Sequence, residues 1–228
     1  MFSTKDYILI AVSVITSIVA NVLTVHSVHI VYLSIILILL VVIYITNSKL
    51  ALLRFIGIEK IEKNISSESS TEKLLSLVKD SFFMLGRGGS RFVEANDLDA
   101  AVVRANRRKP IRFLLLRPGS FAAGELARER NIVSTHISDI VSASLRTLDE
   151  YRTKGFNIEY RFYSNPNYIP IFRIVVIDDS KAYVSFYPRQ ETGKNSFQLV
   201  LFDSKNNNNL FIAFRLHFES MWEIAEPV

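Results

Sequence analysis

The chain has 228 residues, a net charge of +5 and 49% hydrophobic residues, too apolar for a disordered chain and only mildly basic. It contains no Cys, which excludes a disulfide framework and most structural zinc sites and suits a reducing compartment. No metal or cofactor is expected.

Two apolar runs open the sequence, Tyr7 to Val25 and His29 to Thr46, neither containing Asp, Glu, Lys or Arg. Each spans roughly 27 Å as a helix, close to the hydrocarbon thickness of a bilayer. The turn between them, His26-Ser27-Val28-His29, is too short for a domain, so the runs are read as an antiparallel transmembrane hairpin, residues 1–48. Lys49, Arg54, Lys60 and Lys63 follow the second run, whereas the turn has no Lys or Arg. The positive-inside rule then puts both termini in the cytoplasm, as a multi-pass protein of the inner (plasma) membrane. A cleaved signal peptide is the competing reading of the first run; it lacks a basic n-region beyond Lys5 and a small-residue cleavage site. Ser13, Thr16, Ser17 and Asn21 form a stripe of small or polar residues on the first helix. Such stripes pack helices, within one hairpin or between several in a homo-oligomer, and a pore lining is a further use.

Residues 49–70 are read as a juxtamembrane helix, LALLRFIGIEKI, lying along the membrane or extending the span, then a polar linker. One cytosolic domain, residues 71–228, follows. Glu72 to Lys79 predicts an amphipathic helix, Ser81 to Gly86 a buried strand, Asp97 to Arg107 a helix and Ile111 to Leu116 a strand parallel to the first. One long helix is expected over Phe121 to Tyr151, then strands over Ile158 to Tyr163 and Ile171 to Ile177, the latter buried on both faces. Further strands are expected over Lys181 to Tyr187, Phe197 to Phe202 and part of Leu210 to Phe214, with a closing helix over Leu210 to Ile224. The fold class is α/β, with a mixed sheet.

Two loops at the carboxyl edge of such a sheet suit an anion: Gly86-Arg87-Gly88-Gly89 and Arg117-Pro-Gly-Ser120. Arg87, Arg117 and the backbone around Ser120 are therefore candidate phosphate contacts, with simple tight turns as the plainer reading. A basic cluster, Arg104, Arg107, Arg108, Lys109, Arg112 and Arg117, suits lipid headgroups, a nucleotide phosphate or plain solvent.

The segment Ile171-Phe-Arg-Ile-Val-Val-Ile-Asp178, with Ser185 and Tyr187 farther on, resembles a degraded form of the phospholipase D signature, His-x-Lys, an Asp five residues later, then Gly-Ser-x-Asn. In that register Ile171 takes the histidine position, Arg173 the lysine, Asp178 the aspartate, Val184 the glycine, Ser185 the serine and Tyr187 the asparagine. The resemblance implies one phospholipase D-like domain with a phosphate site made by Arg173, Asp178, Ser185 and Tyr187. It also implies loss of catalysis, because isoleucine cannot take the phosphoryl group that the family's histidine takes. No catalytic residue is assigned, and replacement of the histidine by His136 or His217 is disfavoured.

Arg173 in an apolar strand is the least easily dismissed of these residues, since a buried charge needs a partner or a ligand. The build, a membrane hairpin on one small cytosolic domain, resembles bacterial antiviral membrane effectors that sense nucleotide second messengers. The function expected is thus a catalytically inactive sensor of a phosphorylated small molecule or nucleotide, acting on the lipid bilayer. The alternatives are a tethered phosphodiesterase, nuclease or phospholipase, and a membrane-anchored protein-interaction module.

Overall fold

A computed structural model describes residues 12–17, 28–65, 70–105, 109–187, 196–206 and 209–228. The chain divides into two compact units, residues 1–53 and 54–228. In the first, residues 12–17 are helical and α1 covers Val28–Phe55. The stretch Ile35–Phe55 is long and apolar enough to cross a membrane, by length and composition. Ser13, Thr16 and Ser17 lie on the helical stretch, where the Thr16 hydroxyl bonds back to the Val12 carbonyl at 2.8 Å. Asn21, His26 and Ser27 lie outside the described residues, as does most of the first apolar run; Val28 and His29, expected in the hairpin turn, are the first residues of α1.

The second unit is built on one eight-stranded mixed sheet, ordered β1-β7-β6-β5-β2-β3-β4-β8. Its strands are β1 (Ile58–Glu62), β2 (Phe82–Leu85), β3 (Ile111–Leu115), β4 (Ile158–Phe162), β5 (Phe172–Ile177), β6 (Lys181–Phe186), β7 (Gln198–Phe202) and β8 (Glu226–Pro227). The helices are α2 (Thr71–Leu77), α3 (Ser90–Val93), α4 (Leu98–Ala105), α5 (Phe121–Glu129), α6 (His136–Thr153) and α7 (Leu210–Glu223). β2, β3 and β4 are parallel, as helical crossovers require, while β5, β6, β7 and β1 form an antiparallel run beside β2. One face packs Phe82, Met84, Phe113, Val175 and Tyr183 against the helices that connect the strands. On the other, Phe218 of α7 stacks on Phe83 at 5.3 Å and on Trp222 at 5.8 Å.

Three expectations are corrected. The helix expected over Phe121 to Tyr151 is two, α5 and α6, separated at Asn131, whose φ of 52° is left-handed. The segment expected as a juxtamembrane helix ends as helix at Phe55 and enters the sheet as β1, turning at Gly57 (φ +82°). Leu210 to Phe214 is entirely helical, because Asn209 caps it: its side chain accepts from the Ile212 N–H at 2.8 Å.

Candidate functional site

Adjacent residues on a strand point to opposite faces, so β5 sends Phe172 toward α7 and Arg173 toward the connecting helices. Arg173 comes to rest at the carboxyl end of β2, in an open cavity of about 200 Å³. The lining is supplied by the end of β2 (Met84), the glycine loop and α3 (Arg87 to Phe92), Arg130 after α5, the first turns of α6 (Ile137, Ile140), Arg173 and Tyr187. Four arginines, Arg87, Arg91, Arg130 and Arg173, therefore line one cavity, and among the described residues its lining includes no carboxylate or imidazole.

Gly86 makes room for them. A Cβ there would sit 2.6 Å from the Met84 methyl and 3.2 Å from the Tyr187 hydroxyl. The Gly86 carbonyl accepts from the buried Tyr163 hydroxyl at 3.1 Å, and its N–H donates to Leu114 O at 3.0 Å. Burial keeps the Tyr163 phenol protonated well above its ordinary range.

Arg173 is 7% exposed, lies over the Phe92 ring at 5.5 Å and donates to Ser185 Oγ at 3.1 Å, leaving its Nε buried without a partner among the described residues. Ser185 in turn donates to Gln198 Oε1 at 2.7 Å, and Gln198 Nε2 donates to Glu62 at 3.2 Å. These residues face one another in register across β5, β6, β7 and β1, making one polar rung. Arg87 Nε donates to Pro170 O at 3.2 Å and its guanidinium lies 4.1 Å over the Tyr187 ring. Burial lowers the pKa of both arginines; Arg91 adds to the effect at Arg173 and Arg130 at Arg87.

Of the residues singled out in the sequence, Arg87, Arg173 and Tyr187 line this cavity, and Ser185 supports Arg173 from behind. Asp178 lies five residues along β5 from Arg173, about 16 Å at strand rise. Its carboxylate accepts from the N–H groups of Lys79, Asp80 and Ser81 at 2.8–3.1 Å. Ser120 caps α5 through Ala123 N, and Arg117 pairs with Glu226 and lies over Phe162. Neither borders the cavity. His217 packs on Phe172, on the face opposite Arg173, and His136 is not in the lining. The described members of the basic cluster are dispersed as well: Arg104 bonds the Leu75 and Val78 carbonyls, Lys109 pairs with Asp179, and Arg112 with Glu159 and Glu219, while Arg107 and Arg108 lie outside the described residues.

Arg91 and Arg130 went unmarked in the sequence. For Arg91 a signal was available, as it follows the glycine loop directly; Arg130 reaches the cavity only because the helix breaks after it.

No family model and no curated protein matches the sequence. Solved structures with a similar fold include phosphatidylserine synthase from Haemophilus influenzae Rd KW20, at 11% identity and a TM-score of 0.50, covering 74% of this chain and 39% of that one. Nuc from Salmonella typhimurium, a phospholipase D family member, matches at 12% identity and a TM-score of 0.46, over 74% of this chain and 97% of its own. TrmBL2, an archaeal chromatin protein, matches at 14% and 0.45, over 82% of this chain and 64% of that one. The second unit of this chain shares its fold with part of that phosphatidylserine synthase.

Proposed function

We propose that this protein is a membrane-anchored binding module for a phosphorylated small molecule, without phosphoryl-transfer chemistry of its own. The observation that carries this reading is the cavity lined by four arginines, at whose buried end Arg173 Nε has no acceptor among the described residues. Guanidinium matches phosphate in charge and geometry and cannot be neutralised at physiological pH. The lining offers no imidazole to accept a phosphoryl group, and Ile171 stands where the phospholipase D signature has its histidine. At about 200 Å³ the cavity is smaller than drug-sized clefts of roughly 300–1,000 Å³, so it suits a phosphoryl head whose remaining body projects outward.

In its fuller form, the ligand is a nucleotide second messenger and the N-terminal apolar segments are the output. They span the inner membrane as a hairpin with both ends cytoplasmic, and they rearrange or oligomerise as in the antiviral effectors the architecture resembles. Ligand affinity must then differ between two states of the assembly.

Calorimetric titration of detergent-solubilised full-length protein with inorganic phosphate tests the core of the reading. Saturable binding that Arg173→Ala abolishes is expected. Turnover of a phosphodiester such as bis(4-nitrophenyl) phosphate would overturn it in favour of a tethered phosphodiesterase.

A further inference from the structure

Every charged group in the cavity is a hydrogen-bond donor. Guanidinium has five N–H groups and no acceptor. Ser185, behind Arg173, donates to Gln198 Oε1 at 2.7 Å and accepts from Arg173 at 3.1 Å, which fixes the guanidinium in place. Among the described residues the lining holds no carboxylate or imidazole to take a proton from a bound group; its side-chain hydroxyls are those of Ser90 and Tyr187. A phosphoryl group that retains a proton offers these donors one charged acceptor oxygen fewer. A fully ionised terminal phosphoryl group brings only acceptors.

Charge counting points the same way. A phosphodiester or a protonated monoester carries one negative charge against four guanidinium groups, Arg87, Arg91, Arg130 and Arg173. An ionised monoester carries close to two. In a recessed site the unbalanced positive charges repel one another more strongly than in water, so the second negative charge is worth more here than at a surface. Shape agrees: the cavity accepts a head group from its open side and closes on Arg173, whereas a diester needs room for a substituent on two oxygens.

Building on the phosphate-binding reading, we infer that this cavity selects the dianionic terminal phosphomonoester and discriminates against both phosphodiesters and the singly ionised monoester. The preference is set by Arg87, Arg91, Arg130 and Arg173.

Methyl phosphate, dimethyl phosphate and inorganic sulfate serve as probes, titrated by calorimetry into the full-length protein in detergent at pH 7.5 and pH 5. Methyl phosphate is expected to bind at least about tenfold more tightly than dimethyl phosphate at pH 7.5. Its affinity is expected to fall about tenfold at pH 5, because the second ionisation lies near pH 6. Sulfate, dianionic throughout, should change less than about twofold over the same interval, which separates ionisation of the ligand from titration of the protein. The exposed Arg91 supplies the gentler variant: Arg91→Gln should weaken methyl phosphate more than dimethyl phosphate, without the folding risk of replacing Arg173. Equal affinity for the two esters, or a sulfate affinity that falls with that of methyl phosphate, would overturn this inference and leave the phosphate-binding reading standing. Failure of all three probes to bind would reject both.

Discussion

A guanidinium that is 7% exposed, bonded to a neutral hydroxyl and with a buried Nε lacking an acceptor among the described residues, has shed most of its hydration without gaining an ion pair there. Arg173 therefore costs the unliganded fold something, as residues kept for binding commonly do. Arg173→Met should leave the unfolding midpoint of the ligand-free protein unchanged or raise it by up to about 4 kcal/mol in stability, while eliminating phosphate binding. Chemical denaturation with and without phosphate checks both halves. Asp178 is the opposite case. Its carboxylate satisfies three backbone N–H groups, and its φ of 53°, followed by 50° at Asp179, builds the three-residue turn of the β5–β6 hairpin, Asp178 to Ser180. Asp178→Ala should cost about 3 kcal/mol through lost charge-assisted bonds and a left-handed alanine, with phosphate affinity unchanged. His217 adds a pH term: burial against Phe172 lowers its pKa below 6.5. The unfolded chain then binds the proton more readily, so this contribution is complete above pH 6.5 and is lost as pH falls through the folded-state value. Unfolding midpoints at pH 7.5 and pH 5 should differ less in His217→Gln than in the parent.

At the scale of elements, what could be read in advance depended on whether the deciding interaction was local. β2, β3 and β5 are short apolar runs bounded by turn residues, and their burial on both faces follows from that pattern. The break between α5 and α6 could not be read this way. Residues 130–135 contain neither Gly nor Pro, and Ile132 and Val133 continue the apolar spacing, yet Val133 is 72% exposed and Asn131 turns left-handed. That break carries Arg130 to the cavity. β1 was equally hidden, because IEKIE lacks strict alternation; a register shift between Ile58 and Lys60 lets Ile58 and Glu62 both turn inward. Its place depends on Gly57, where a Cβ would sit 2.8 Å from the Phe202 carbonyl and the backbone is left-handed. Gly57→Ala should destabilise the second unit by about 2 kcal/mol or more, since both backbone strain and a backbone clash oppose it. Hydrogen exchange would locate the damage: amides of residues 58–62 should lose protection while those of β2 to β4 keep it.

For the whole molecule, net charge was a poor guide to where the arginines gather around a cavity. The sequence pI of about 9.4 and the run of basic residues from Arg104 to Arg117 direct attention to the amino-terminal end of β3, where Lys109 and Arg112 meet Asp179, Glu159 and Glu219. The unbalanced positive charge instead gathers at the carboxyl end of β2, from four arginines spread between residues 87 and 173. No stretch of sequence contains that site; the parallel order of β2 and β3, the antiparallel return of β5 and the broken helix assemble it. The two accounts of anion affinity, diffuse basicity and a local cavity, differ in what they require of charge removal. At 0.15 M salt the screening length is about 8 Å, so a charge outside the cavity is felt weakly there. Lys109→Gln and Arg91→Gln each remove one positive charge and leave the same net charge. Under diffuse basicity both should weaken phosphate binding equally; with a local cavity Lys109→Gln should change affinity less than twofold, roughly, and Arg91→Gln by about fivefold to tenfold, the loss of one charge-assisted hydrogen bond. Linkage supplies an independent readout, because phosphate at about 100 times its dissociation constant should stabilise the protein by about 2.7 kcal/mol. For a domain of this size that is a rise of roughly 5–10 °C in melting temperature. The rise should persist in Lys109→Gln, shrink in Arg91→Gln and vanish in Arg173→Met.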